Sequence, residues 1–176
     1  MIPFPFLPIV AGLALASSPA HPHMTKATIV PGVKGKVVVT YLTVPYNPDN
    51  VKDLEPGFVF SAPAAQVKTD MALVAGNVKI PAGEYALKAR LDDNGKTWSV
   101  MLVPGGENAK PLILPSKPFA AAKTDSLLVS AVINGYLTES MGSTEAAGGV
   151  AGELRISFGD LHTGFAFVEA FPTDHK

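Results

Sequence analysis

From Asn77 to Val103 the chain reads NVKIPAGEYALKARLDDNGKTWSVMLV, and its period of two constrains the fold more than any other feature. Tyr85, Leu87, Ala89 and Leu91 fall on one face of an extended segment, with Glu84, Lys88 and Arg90 on the other. That alternation is the pattern of a half-buried strand. Trp98, Val100 and Leu102 repeat it, while Met101 and Val103 make the second face partly apolar. Between the two runs lies Asp92-Asp93-Asn94-Gly95, and Asn-Gly is the favoured pair for a type I′ turn. The segment is expected to be a β-hairpin. Pro81 has no amide hydrogen, so Ile80-Pro81-Ala82-Gly83 is expected to turn a corner between Asn77–Ile80 and the hairpin.

Other segments have the look of strands laid around this one. Lys36–Val44 (KVVVTYLTV) is strongly β-branched, Phe58-Val59-Phe60 and Met71–Ala75 are short apolar runs, and Leu112-Ile113-Leu114 is an edge candidate between prolines. Ser126–Ile133 reads as a buried strand, with Asn134-Gly135 turning it toward Tyr136-Leu137. Glu153–Phe158 alternates with Leu154, Ile156 and Phe158 inward, Gly159–His162 turns the chain, and Phe165 and Phe167 continue on a last strand. Phe119–Thr124 (FAAAKT) has room for one helical turn and nothing longer. Thr138–Gly149 lacks an apolar period and reads as a mobile loop. About nine short strands with regular turns predict an all-β, single-domain antiparallel β-sandwich. Its expected core contains Tyr85, Leu87, Trp98, Val100, Leu154, Ile156 and Phe167.

Length agrees, since a chain of 176 residues makes one domain and buries enough surface to need no staple. Cysteine is absent, which excludes disulfides and thiolate metal sites. The formal charge is −1 with no basic run, so nucleic-acid binding, which rests on clustered phosphate contacts, is not expected. Residues 1–20 read as a signal peptide: Phe4–Leu15 is apolar, too short to span a membrane, and followed by small residues. Both Ala16 and Ala20 fit the cleavage rule, although no Lys or Arg precedes the apolar stretch. Residues 21–35 form a leader with a candidate edge strand at Ala27–Val30, and residues 36–176 the sandwich domain. A secreted or periplasmic monomer with no membrane span after signal removal follows.

Gly76, Val78, Ile80, Pro81-Ala82-Gly83, Tyr85, Leu87, Trp98 and Val100 carry a resemblance as well as a pattern. Together with Gly35-Lys36, Val44-Pro45-Tyr46, Leu154, Ile156, Phe158 and Gly159, they make the chain resemble a secreted bacterial family, domain-of-unknown-function family 2911. The resemblance implies a fold and a compartment, and no activity. Two positions depart from the family pattern: Phe158 stands where Trp is usual, and Leu54–Gln66 (LEPGFVFSAPAAQ) replaces an Arg- and Trp-containing stretch.

Chemistry is sparsely signalled. The chain has no Gly-x-Ser-x-Gly elbow, phosphate loop, dinucleotide glycine pattern or His-Glu-x-x-His. Its four histidines are His21, His23, His162 and His175. A catalytic triad would have to use His162, and no serine is marked as its nucleophile. One metal reading exists. Cleavage after Ala20 would expose His21, whose terminal amine and imidazole chelate Cu(II), with His23 or His162 completing the site. Pro22 blocks the common amino-terminal copper motif, and the bland alternative is that these are solvated histidines. Tyr46, Phe58, Phe60 and Trp98 raise a different prospect, a binding surface for glycan or peptide, with Trp98 in the core as its bland counterpart. Donation of a strand from Thr25–Val33 to a neighbouring molecule is a third reading, against an ordinary edge strand. The leading expectation is a non-catalytic module with an unnamed ligand or protein partner, ahead of a copper protein and then an enzyme.

Overall fold

The computed structural model describes residues 24–32, 34–106, 109–137 and 149–170. They form twelve strands: β1 (Thr25–Pro31), β2 (Lys36–Leu42), β3 (Val59–Thr69), β4 (Leu73–Ala75), β5 (Val78–Ile80), β6 (Gly83–Leu91), β7 (Trp98–Pro104), β8 (Leu112–Ile113), β9 (Lys117–Pro118), β10 (Thr124–Leu137), β11 (Gly149–Gly159) and β12 (Leu161–Glu169). The first sheet runs β1-β2-β3-β6-β7-β8, and the second runs β10-β11-β12-β4-β5 with β9 also on β12. The pairings are antiparallel. The expected all-β sandwich is present, with more than nine strands because several elements have only two or three residues, too few for periodicity to reveal. Among the described residues no helix is long and apolar enough to cross a membrane.

The β6–β7 hairpin pairs Leu91 with Trp98, and Tyr85, Leu87, Ala89 and Leu91 face the core. Its turn differs from the expected two-residue type I′. Six residues, Asp92–Thr97, form the loop, closed by Asp92 N–H donating to the Thr97 carbonyl at 2.8 Å. Only Gly95 is left-handed there, with φ 65°. Asn94 Oδ1 accepts from the Lys96 and Thr97 amides at 2.8 and 3.0 Å, and the Asp92 carboxylate accepts from the hydroxyls of Thr97 and Ser99. These side-chain bonds hold the wider loop in place of a tight turn. The corner Ile80–Gly83 also does more than turn the chain, since β5 lies in the second sheet and β6 in the first.

Three further expectations are corrected. Phe58–Phe60 opens an eleven-residue strand, β3, whose Ala65, Val67 and Thr69 are buried. A bulge between Ser61 and Gln66, with Ala64 at φ 55°, hides its continuity in the sequence. Asn134-Gly135 makes a bulge inside a continuous β10 and not a turn, because β11 pairs with both sides of it. Phe119–Thr124 forms no helical turn; the segment crosses from β9, beside β12, to β10, beyond β11, and an extended chain spans that distance. The expected loop at 138–149 lies outside the described residues except for Gly149, which starts β11.

Inward residues of both sheets meet in one core, with Val39, Tyr41, Ile80, Val100, Leu102 and Leu154 among its most buried members. The first sheet is stitched to edge strand β10 by side chains: Thr28 Oγ1 from β1 and Tyr41 Oη from β2 both donate to the Val129 carbonyl, at 2.9 and 3.3 Å. Thr25–Pro31 pairs with its own β2, as an ordinary edge strand does. At one end of the sandwich Glu169, only 4% exposed, accepts from the amides of Lys34 (2.8 Å) and Val150 (3.2 Å). The other end carries the cleft described next.

Candidate functional site

Beyond β2 the chain leaves the first sheet and is pinned to the start of β10. Leu127 N–H donates to the Val44 carbonyl, Pro45 bridges to Ser126, and Tyr46 N–H donates to the Asp125 carbonyl, each backbone bond at 2.8 Å. This places the Tyr46 ring over the β11–β12 turn. It stands edge-on to Phe158, with centroids 5.2 Å apart and planes at 85°, and Phe158 in turn stacks on Phe60 at 5.1 Å. Gly159 makes room for it: φ is 62°, and a Cβ there would overlap the Tyr46 ring.

Trp98 begins β7 at the same end and is half-buried, not the core residue its phase predicts. The alternation that puts Val100 and Leu102 inside is right, but Trp98 sits at the last rung of the sandwich, where the layers stop covering one another. Its carbonyl accepts from the buried Thr163 Oγ1 at 2.7 Å, tying the two sheets together. Between them opens a cleft of about 320 Å³, lined by Tyr46, Trp98, Phe158, Lys96, Asp160 and His162 among others. A second cavity, about 510 Å³, lies between Met24, Lys26, Asp125 and Ser126, and Tyr46 lines this one too.

Charges cluster at the rim. Lys123 Nζ lies 3.2 Å from Asp160 Oδ2 and 5.2 Å from the centroid of the Tyr46 ring. Its contact with the Asp160 carboxylate raises the lysine above its ordinary range. His162 is placed by two neighbours: Nδ1 is 3.0 Å from Ser157 Oγ, and the ring is tilted against Phe119 at 5.5 Å. Arg155 covers Phe119 at 5.0 Å and pairs with Glu153 at 2.9 Å. Ser157 is buried, 6% exposed, and its hydroxyl helps to hold the imidazole.

His162 is thus the one candidate metal ligand with a described position; His21 and His23 lie outside the described residues. Among the described residues no group of three or more His, Asp or Glu side chains is arranged to hold a metal ion. Of the four aromatics considered, Tyr46 and Trp98 line the cleft, Phe60 supports its floor from below, and Phe58 is exposed at the entry to β3. Asp160, Lys96 and Lys123 carried no pattern that would single them out, because turn composition alone explains them. No protein-family model, curated protein or solved structure matches this chain.

Proposed function

We propose that the protein is an exported, non-catalytic binding module, and that the cleft between Tyr46 and Trp98 holds a ring of its ligand. One observation carries the reading: two half-buried aromatic rings frame a concave site with a mixed polar rim at one end of the sandwich. Ligand sites combine apolar walls with a few convergent polar groups in this way, and an aromatic left partly open at such a site has a face to offer. Export rests on the apolar N-terminal stretch and on the resemblance to family 2911.

Trp98 is the only tryptophan, so its fluorescence reports on the cleft alone. Titration with a library of small ring-bearing compounds is expected to quench or shift that emission, with competition between hits. Trp98→Phe keeps much of the ring and should weaken binding; Trp98→Ala should abolish it, as followed by calorimetry, with the fold retained by circular dichroism. A silent Trp98 across the library would overturn the reading. Recovery of the protein from a bacterial periplasm with residues 1–20 still attached would overturn the signal-peptide reading, and its failure to reach the periplasm would overturn export.

Copper binding through His21, His23 and His162 is the second reading. What favours it is position: Met24, next to His23 in sequence, lines the cavity that shares Tyr46 with the His162 cleft. A ligand that binds only the folded state raises thermal stability, so an unchanged Tm with added Cu(II) would dismiss it.

A further inference from the structure

The two cavities lie at the same end of the sandwich and share Tyr46 as a common wall. We infer that together they form one groove that takes a chain of neutral sugar rings, one against Trp98 and the next beyond Tyr46. The inference rests on the proposed function and deepens it by naming the ligand class.

Charge is the first argument. Lys96 and Asp160 both line the first compartment, where Asp160 pairs with Lys123 at the rim, and Lys26 and Asp125 line the second. A site for phosphate, sulfate or carboxylate gathers cations without interleaved carboxylates, whereas here both compartments mix the two signs, with Asp160 beside Lys123 and Lys96, and Asp125 beside Lys26. The result is donors and acceptors side by side, joined in the first compartment by His162. Hydroxyl groups both donate and accept, and they suit such a rim.

Shape and surface agree with it. The compartments, about 320 and 510 Å³, sit near the lower end and middle of the size range of small-molecule sites, roughly 300–1,000 Å³. A sugar ring has an apolar C–H face and a polar edge, which matches an aromatic ring set beside a mixed-charge rim. An extended peptide would instead read a row of free strand-edge amides, and this groove crosses strand ends. Lys123 lies over the Tyr46 ring, but its tether to Asp160 is exposed on both sides and yields readily to a ligand.

The test uses the full mature chain and linear neutral glucans, xylans, mannans and galactans from monomer to hexamer, with sulfated and uronic counterparts. Binding is read by Trp98 emission and by backbone amide shifts. At least one neutral series is expected to tighten about tenfold from monomer to trimer. Shifts at Lys26 and Asp125 should appear only once the chain is long enough to pass Tyr46. Tyr46→Ala should abolish the length dependence; Lys26→Ala with Asp125→Ala, at exposed positions, should flatten it without touching the Trp98 compartment. Length-independent binding, or binding of the charged counterparts alone, overturns the inference. If non-sugar rings quench Trp98 and no neutral series binds, the proposed function stands and the sugar assignment falls. If nothing quenches Trp98, both fall.

Discussion

The two ends of the sandwich are built on opposite plans. At the Glu169 end a buried carboxylate gathers amides from the β1–β2 turn and from the start of β11, so a polar group is enclosed and satisfied. Tyr85 works at the same end, its phenol donating to the Pro81 carbonyl at 2.7 Å across the corner between sheets. At the Tyr46 end the enclosed groups are rings, and the charged groups, Lys123 and Asp160, lie outside in solvent. Burial of a charge demands partners, and those partners close an end. Aromatic rings need only contact, and they can leave one face open. The difference teaches why the cleft is at one end and not the other.

Replacing Glu169 tests the closed end most severely. Glu169→Ala leaves the buried Val150 amide and the part-buried Lys34 bond without their acceptor and is expected to cost about 3 kcal/mol. In a chain of this length that lowers Tm by roughly 6–12 °C. Ligand affinity at the Tyr46 end should survive; a parallel loss of Trp98 response would show that the two ends are coupled.

Gly159→Ala is the corresponding break at the open end. The left-handed backbone alone costs about 1–2 kcal/mol for a residue with a Cβ, and the added methyl displaces the Tyr46 ring. Thermal unfolding should therefore show a smaller loss than Glu169→Ala, combined with impaired binding. Full binding in this variant would mean that Tyr46 does not need its position.

Alkaline pH sharpens the contrast without mutation. Burial raises the Tyr85 phenol above the ordinary tyrosine range. Its neutral form is favoured in the folded chain, so this contribution is complete below about pH 10 and is lost as pH rises through the raised value. Stability should fall in that window, and Tyr85→Phe should reduce the fall while losing the Pro81 bond, about 1 kcal/mol. Ultraviolet titration of the tyrosines alongside unfolding checks both; a pH slope unchanged in Tyr85→Phe would reject the assignment.

The smallest effect belongs to the rim. Lys123→Ala removes an exposed ion pair and should leave Tm unaltered within error. It also uncovers the Tyr46 ring, so binding should be kept or slightly strengthened. Weakened binding by calorimetry would instead give Lys123 a direct contact with the ligand.

The central hairpin was legible because its information is local. Leu87 and Leu91 alternate with Lys88 and Arg90 within a few residues, and that pattern needs no distant partner to be read. The same locality set limits. Asn94-Gly95 suggested a two-residue turn, and side chains from Asp92, Thr97 and Ser99 built a wider one. Asn134-Gly135 suggested another turn, and β11 held it in a strand. Trp98 had the phase of a core residue, and only the point where the second sheet ends leaves it partly open.

What the sequence by itself determined is the class: period-two runs of β-branched and aromatic residues, punctuated by Pro and Gly, have no better way to bury their apolar faces than a two-sheet stack. It determined too which side of β6, β7 and β11 turns inward, since that choice follows from alternate side chains on one strand. Tertiary structure alone decided the site. Tyr46, Trp98 and His162 are separated by long stretches of chain, and they meet because Val44–Tyr46 is pinned to β10 and Thr163 is bonded to the Trp98 carbonyl. Those contacts join different sheets, and no periodicity within a strand records which strand ends will share one end of the sandwich.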